Sequence, residues 1–334
     1  MAKQRVFSGL RPTAESPHLG NWLGALNQWV NLQDEYDCFF SIVDWHALTT
    51  SYDDTTALRE NTLGAAINFL SAGLDPKKSP IFVQSHVPEH VELHILLSMI
   101  TPISWLERCP TYKDQMIQLG KEGKDLSTYG FLGYPVLMAS DILIYKASVV
   151  PVGEDQAPHL ELAREIARRF NYLYGKVFPE PQIRLSEVPM LPGIDGRKMS
   201  KSYGNFITMS AETEEIKEKV RLMITDPQRI RKTDPGNPDI CVVYAFQKIF
   251  NSEETSKIEQ SCRSGEIGCV ECKRILIEKM DQRLTPIREK RKELANNPGL
   301  VEDILADGAA RAREVARQTL EEVKEKMGLL MPKE

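Results

Sequence analysis

The stretch Arg5-Val6-Phe7-Ser8-Gly9-Leu10-Arg11-Pro12-Thr13, followed by Pro17-His18-Leu19-Gly20-Asn21-Trp22-Leu23-Gly24, runs from a short apolar strand into a helix. That order repeats downstream. Strands are expected at Arg5–Ser8, Cys38–Val43, Pro80–Gln84 and Val149–Val152, where β-branched or aromatic runs are flanked by turn residues. Helices are expected between them at Gly20–Asp34, Asp53–Leu70, Glu92–Ile100 and Gln156–Phe170, where apolar residues recur at three- and four-residue steps. Repeated strand-then-helix order implies a parallel sheet with right-handed crossovers, a doubly wound α/β domain. Beyond Asn205 the strand signal stops, and Val301, Ile304, Leu305, Ala309, Ala312, Val315, Leu320, Val323 and Met327 follow the helical period. Residues 1–205 are therefore expected to form the α/β domain and 206–334 an all-helical one, with Lys232–Pro238 as a loop inside the second.

Composition narrows the class of protein. Of 334 residues, 42% are apolar and 27% charged, which supplies a sizeable core and excludes disorder, collagen and a disulfide scaffold. No apolar run approaches the roughly 18 residues of a membrane span. The start, Met1-Ala2-Lys3-Gln4-Arg5-Val6, leads into no apolar secretory segment, so the expected setting is the cytoplasm, where thiols stay reduced. Six cysteines there point to buried thiols, metal binding or catalysis. The net charge of −5 argues against a generally basic nucleic-acid coat and leaves room for a local basic face.

Two stretches suit a nucleotide. Where the first strand enters its helix, free backbone N–H groups can hold a phosphate, His18 and Asn21 can donate beside them, and Gly20 leaves room for a flat ligand. A Pro-x-x-Gly turn opening an ordinary helix would read the same way. The second stretch, Lys198-Met199-Ser200-Lys201-Ser202, packs two cations and two hydroxyls into a loop introduced by Pro192-Gly193 and Asp195-Gly196. Lys198 and Lys201 can neutralise charge developing on a departing pyrophosphate, and the serines can donate to its oxygens. A solvated basic loop is the alternative, and the upstream turn weighs against it.

These two stretches resemble the paired signatures of the class I aminoacyl-tRNA synthetases. Val43-Asp44-Trp45-His46-Ala47, residues 134–143 and Val150-Pro151-Val152-Gly153-Glu154-Asp155-Gln156 narrow the resemblance to the bacterial tryptophanyl-tRNA synthetases, over essentially the whole chain. It implies a Rossmann-like catalytic domain with a C-terminal helical anticodon-binding domain, acting as a homodimer. The implied reaction joins L-tryptophan to ATP, carried with Mg²⁺, and passes the aminoacyl group to tRNA(Trp). The chain departs from the family where His18-Leu19-Gly20-Asn21 replaces Thr-Ile-Gly-Asn, where the turn 13–17 is one residue longer, and where Arg11 replaces a common Gln.

By resemblance, the nucleotide falls to Arg11, Pro12, Thr13, His18, Gly20, Asn21, Gly153, Glu154 and Asp155, with Asp155 on a ribose hydroxyl, Met190 near the adenine, and Lys198, Met199, Ser200, Lys201 and Ser202 on the phosphates. Lys113 matches a phosphate-contacting lysine of the family, though as a residue it also reads as solvated. Asp141 is assigned to the indole N–H. That group only donates, so a fixed carboxylate reads it and is left unpaired by phenylalanine. On residues alone Asp141 would pass for a helix-surface or capping carboxylate. Phe7, His46 and Met138 would wall the ring, and Tyr134 and Gln156 would meet the α-amino group. A carboxylate nucleophile is already ionised at neutral pH, so the first step needs positioning and charge stabilisation rather than a general base.

Cys241, Cys262, Cys269 and Cys272 follow a C-x20-C-x6-C-x2-C spacing. Four thiolates suit a structural Zn²⁺ or a [4Fe–4S] cluster, and the spacing does not choose between them. Some bacterial tryptophanyl-tRNA synthetases carry a [4Fe–4S] cluster on a similar pattern, so the resemblance implies the cluster. Cys38 and Cys109 read as bystanders. After the cysteines, Lys273, Arg274, Lys279, Arg283, Arg288, Lys290, Arg291 and Lys292 outnumber Glu278, Asp281, Glu289 and Glu293, which suggests a phosphate-binding face for tRNA. A tyrosyl-tRNA synthetase and a nucleotidyltransferase without tRNA activity remain as competing readings. The Asp141 setting and residues 43–47 favour tryptophan over the first, and the basic helical segment argues against the second.

Overall fold

The computed structural model describes residues 3–13, 15–110, 112–113, 116, 125–153, 156–184 and 191–331. Strands β1 (Arg5–Leu10), β2 (Asp37–Ile42), β3 (Ile81–Val83), β4 (Val149–Pro151) and β5 (Gln182–Arg184) form one parallel sheet in the order β3-β2-β1-β4-β5. Successive strand side chains point to opposite faces. Val6, Phe40 and Ile81 accordingly enter one core while their neighbours Phe7, Phe39 and Phe82 enter the other. Both faces must be covered, which is the doubly wound arrangement the sequence predicts.

On the first face lie α1 (Leu19–Asn21), a π-helical turn at Trp22–Leu26, α2 (Asn27–Glu35) and α4 (Leu58–Ser71), with the short α3 (Asp44–Ser51) following β2. On the second face lie α5 (Glu89–Ser98), α6 (Ile103–Glu107), α7 (Tyr129–Leu143) and α8 (Ala157–Tyr174). The expected helix at Gly20–Asp34 thus contains a π-turn, which widens it where Leu23, Gly24 and Leu26 face the main cavity. The next helix starts at Leu58 instead of Asp53, because Asp54 Oδ1 accepts from the Thr56 N–H at 3.1 Å and its hydroxyl at 2.7 Å and holds a turn there.

Several elements escape the periodicity, among them the short α3 and α6, β5 and α7. Strand β5 is three residues of polar-apolar-polar character, too short to signal itself. Helix α7 is buried on nearly all sides and carries Pro135 internally, so its apolar residues repeat at no particular interval. Its start is marked all the same: the Thr128 hydroxyl accepts from the Phe131 N–H at 3.2 Å.

The later helices are α9 (Thr213–Leu222), α10 (Val242–Phe250), α11 (Thr255–Arg263), α12 (Cys269–Ala295) and α13 (Pro298–Lys326). No strand of the sheet comes from beyond Asn205 among the described residues, and 232–238 is a loop. Ile216, Phe246, Leu276 and Leu284 from these helices continue the core of the first sheet face. Helix α13 then crosses the exposed edge of β3 from one core to the other. Val301 and Leu305 pack in the first, and Ala312, Ala316, Leu320 and Val323 in the second. At the crossing stands Gly308, where a Cβ would come 2.0 Å from the Ile81 carbonyl oxygen. Only glycine lets the helix lie this close and cover the sheet edge. Buried Glu89 of α5 fastens the far half of α13 by accepting from Arg313 at 3.0 Å and Arg317 at 3.1 Å.

Candidate active site

The chain winds from β1 through β3 to one side and then restarts at β4 on the other side of β1, so the crevice beyond the carboxyl ends of β1 and β4 is a topological switch point. A cavity of about 790 Å³ opens there. Its lining includes Ser8–Leu10 of β1, Val150 and Pro151 of β4, and both sequence stretches assigned to a nucleotide.

Of those stretches, His18 caps α1: its Nδ1 accepts from the Asn21 N–H at 3.2 Å. Acceptance at Nδ1 leaves the proton of a neutral ring on Nε2, a donor beside the cavity. Burial, and after it the charge of Lys201 and that of Lys198, hold His18 below its ordinary value, which keeps the ring neutral at pH 7. The turn is clamped from the far side. Leu19 N donates to Ile207 O at 2.8 Å and Met209 N to Pro17 O at 2.9 Å, so the segment just after the lysine loop holds the start of α1.

The loop itself is built around Asn205, which is almost fully buried. Its Oδ1 accepts from Ser200 N at 2.9 Å, and its Nδ2 donates to Asp195 Oδ1 at 2.8 Å and Lys198 O at 3.1 Å. A Cβ on Gly193 would lie 2.3 Å from Asn205 Nδ2, so Gly193 makes room for the side chain that shapes the loop. Met199 is buried as an anchor, while Lys198 and Lys201 stand exposed at the cavity wall. Lys201 Nζ donates to Glu15.

Arg11, Thr13, Gly20, Asn21 and Gly153 line the cavity with the loop, and Arg11 Nη1 donates to Thr50 Oγ1 at 3.1 Å. Pro12, Ser200 and Ser202 are not part of the lining, and the Ser200 hydroxyl oxygen accepts from the Ser202 N–H at 3.3 Å. Lys113 is exposed and also stands apart from it. Glu154, Asp155 and Met190 lie outside the described residues.

At the other end of the same cavity, α7 presents Asp141, 1% exposed. It is neither a surface nor a capping carboxylate. His46 Nε2 donates to Oδ2 at 2.8 Å, His90 Nδ1 to Oδ1 at 2.6 Å, and Gln84 Nε2 lies 2.8 and 2.9 Å from the two oxygens. A carboxylate has about four acceptor directions, so three protein donors leave one for a donor in the cavity. Burial pushes the carboxyl up, and the hydrogen bonds from His46 and His90 outweigh it, holding Asp141 down at about 2. Because the carboxylate only accepts, His90 presents N–H at Nδ1, and its Nε2 accepts from the Tyr145 hydroxyl at 2.6 Å. Burial raises the Tyr145 phenol far above its ordinary value, so it remains a donor.

Phe7, His46 and Met138 line this end, and Phe7 stacks on Tyr145 with centroids 5.5 Å apart. Tyr134 and Gln156 lie along the same wall. The Tyr134 hydroxyl is 3.2 Å from His159 Nε2, and His159 Nδ1 is 3.4 Å from Cys109 Sγ. Sequence reading missed Gln84, His90, Tyr145, His159, Asn205 and Glu15. Gln84, a polar residue closing the apolar run 80–84, carried the one visible signal.

The four cysteines do not form a ready metal site among the described residues. Cys241, Cys262, Cys269 and Cys272 are free and half-buried, and Arg229 Nη1 lies 3.9 Å from both Cys262 Sγ and Cys269 Sγ. Gln247 Nε2 is 3.6 Å from Cys272 Sγ, and the Arg229 Nε is buried without a partner. Among the described residues, however, no group of three or more His, Cys, Asp or Glu side chains is placed to hold a metal ion.

The cations of the basic stretch that follows have partners within the chain. Lys273 donates to the Arg221 and Met223 carbonyls, and Arg274 pairs with Glu271 and Glu278. Lys279 faces Glu254, and Arg283 donates to Ile249 O and covers the Trp22 ring. Buried Arg288 holds Ala211 O, Asp281 and Glu212. Lys290 pairs with Glu293, Lys292 with Glu212, and Arg291 donates to Asn68. All eight cations already have partners within the chain, so the stretch is largely a bracket between helices.

Comparison with known proteins agrees with this geometry. The family model described as tRNA synthetases class I (W and Y) matches residues 1–285. A tryptophan–tRNA ligase of Thermotoga maritima is 53% identical over 329 residues, covering 98% of this chain and 99% of that protein. One from Aquifex aeolicus is 46% identical over 394 aligned residues, covering 97% and 100%. The crystal structure of the Campylobacter jejuni tryptophanyl-tRNA synthetase complexed with ADP and tryptophan superposes with a TM-score of 0.87 at 37% identity, covering 97% of this chain and all of that one.

Proposed function

Since the chain belongs to the class I tRNA synthetases for tryptophan and tyrosine, we propose that it is a tryptophan–tRNA ligase. It activates L-tryptophan with ATP and transfers the tryptophanyl group to tRNA(Trp). The observation that carries this reading is the buried, ionised Asp141 at one end of a cavity whose other end carries His18, Lys198 and Lys201.

In the first step a tryptophan carboxylate oxygen bonds to the α-phosphorus of ATP as the bond to the bridging oxygen breaks, releasing pyrophosphate. The nucleophile is already ionised, so the site's task is alignment and charge stabilisation. The indole N–H points at Asp141, with Phe7, His46 and Met138 around the ring and Tyr134 and Gln156 at the α-ammonium. His18 Nε2, the Gly20 backbone N–H and the Asn21 side chain donate to the phosphates. Lys198 and Lys201, with the Mg²⁺ that accompanies ATP, neutralise the leaving pyrophosphate. In the second step a terminal ribose hydroxyl of tRNA takes the aminoacyl carbon and AMP leaves. Arg11, Pro12, Thr13, Met199, Ser200 and Ser202 shape the nucleotide end, Gly153, Glu154, Asp155 and Met190 take the adenosine, and Lys113 meets the phosphates.

Residues 1–205 carry these sites, and 206–334 face the tRNA. With most of the basic stretch already paired, tRNA phosphates would replace exposed partners such as Glu271 and Glu293, an exchange that costs little at a surface. The homodimer reading is supported by Ile95, Met99, Ile103 and Tyr129, large apolar side chains left exposed on neighbouring elements. Sedimentation equilibrium tests it. A cytoplasmic setting accords with six free thiols and with the lack, among the described residues, of a helix long and apolar enough to cross a membrane.

For the four cysteines the cluster reading is preferred to zinc. Cys241, Cys262, Cys269 and Cys272 would supply four thiolates to either group, and the preference rests on the resemblance. The donors of Arg229 and Gln247 aimed at sulfur, and the unmet Arg229 Nε, suit an anionic metal–sulfur group. Its chemistry there would be structural, pinning Cys241 before α10 and Cys262 of α11 to Cys269 and Cys272 of α12. Iron and acid-labile sulfide analysis of anaerobically purified protein decides it, and stoichiometric zinc without iron would reverse the choice.

ATP–pyrophosphate exchange with each amino acid, followed by charging of tRNA, tests the function. Exchange supported by tyrosine in place of tryptophan, or exchange without charging, would refute it.

A further inference from the structure

Asn68, on the face of α4 that meets the start of the chain, is 1% exposed. A buried primary amide needs partners for two N–H donors and one oxygen. Asn68 finds them in three separate segments. Its Nδ2 donates to Thr13 O at 3.3 Å and to Glu15 O at 3.0 Å, and its Oδ1 accepts from Arg291 Nε of α12 at 3.1 Å. The guanidinium cannot accept a hydrogen bond, so it fixes which way the amide points and directs the NH₂ at the two carbonyls.

The two carbonyls belong to the turn that leaves β1 for the start of α1. Thr13 lines the cavity, and Glu15 carries the carboxylate that pairs with Lys201 of the lysine loop. We infer that Asn68 is a positioning residue for the nucleotide end of the site, with its amide oriented by Arg291 from the helical segment. The inference rests on the nucleotide reading of that end and adds to it a link from α12, through α4, to the turn.

The test uses Asn68→Asp and Arg291→Gln in the full-length protein. Asn68→Asp keeps the shape and the Arg291 partner and sets an acceptor against two carbonyls, whereas Arg291→Gln leaves Asn68 intact and removes what orients it. Binding of ATP, followed by calorimetry without tryptophan, should weaken about tenfold in Asn68→Asp and several-fold in Arg291→Gln. In exchange assays KM for ATP should rise in parallel while KM for tryptophan stays within about twofold. Asn68→Asp should also lose most of its sensitivity to the Arg291 change, because both act on one amide. ATP affinity unchanged in both variants, or equal loss for ATP and tryptophan, overturns the inference. If Asn68→Asp does not fold, Arg291→Gln decides by the same readout. A wild-type protein that binds ATP but supports exchange with no amino acid would refute the ligase reading and leave this one standing.

Discussion

Asp141→Asn preserves the volume of the side chain and removes its charge. In the structure three donors, from His46, Gln84 and His90, converge on the two carboxylate oxygens at 2.6–2.9 Å. An amide offers one oxygen to them and turns its own NH₂ on the rest, so one buried donor faces another. For tryptophan, the indole N–H loses a charge-assisted hydrogen bond worth about 1.5–3 kcal/mol, roughly ten- to 150-fold in kcat/KM. For the fold, the carboxyl sits at about 2 against an ordinary 3.8, nearly two units, or about 2 kcal/mol of stability. The sign follows from the depressed value. This contribution is complete above the unfolded value of 3.8 and is lost as pH falls through about 2, so the stability gap between wild type and variant should narrow across that window. Tryptophan-dependent exchange measures the first effect, with KM for ATP as the internal control, and urea unfolding at neutral pH and in that window measures the second. A kcat/KM for tryptophan within twofold of wild type, or an equal rise in the two KM values, would refute the reasoning.

Tyr145→Phe removes the hydroxyl that donates to His90 Nε2, and it should raise KM for tryptophan about fivefold with KM for ATP unchanged. A shift in KM for ATP alone would contradict this. Lys198→Ala and Lys201→Ala should each lower the single-turnover rate of adenylate formation by about 10²–10³ while tryptophan affinity, read by fluorescence titration, stays near wild type; a pure loss of affinity would count against the role of the loop. Gly308→Ala drives a Cβ into the Ile81 carbonyl and should cost about 1–3 kcal/mol or more, seen as a Tm several degrees lower with both KM values retained. An unchanged Tm would mean that α13 does not pack on the edge of β3 as described.

What could be read in the sequence depended on whether a residue's role is local. Four of the five strands and the helix before Tyr36 were legible because alternation and helical period are one-dimensional signals. Helix α7 was not, since an element buried on all sides has no polar face to set a period, and β5 was too short. The phosphate-binding half of the site was legible as two contiguous runs. At the proposed tryptophan end, resemblance alone raised Asp141 above a capping carboxylate, and its partners come from α5, the turn after β3 and α3, which lie 51, 57 and 95 residues away in sequence. Charge patterning said least about what each side chain touches. A list of cations after Cys272 records no partners, and folding supplies a carboxylate or carbonyl for each.

The two ends of the cavity are held by polar contacts of opposite kinds, and the difference suits the proposed role of each end. Asp141 and its histidines are almost without solvent contact, so removing any one leaves a buried polar group unpaired, and the geometry is hard to deform. That rigidity is what discrimination between side chains requires, because a carboxylate able to drift could accept from a differently placed donor. Lys201 and Glu15 are exposed, at 40% and 75% of their side-chain surface, and water screens their attraction. A triphosphate can take the lysine from Glu15 at little cost, and the lysine can follow the charge as it moves onto pyrophosphate. A buried pair at this end would have held Lys201 against the reaction, and an exposed one at Asp141 would have left the amino acid unread.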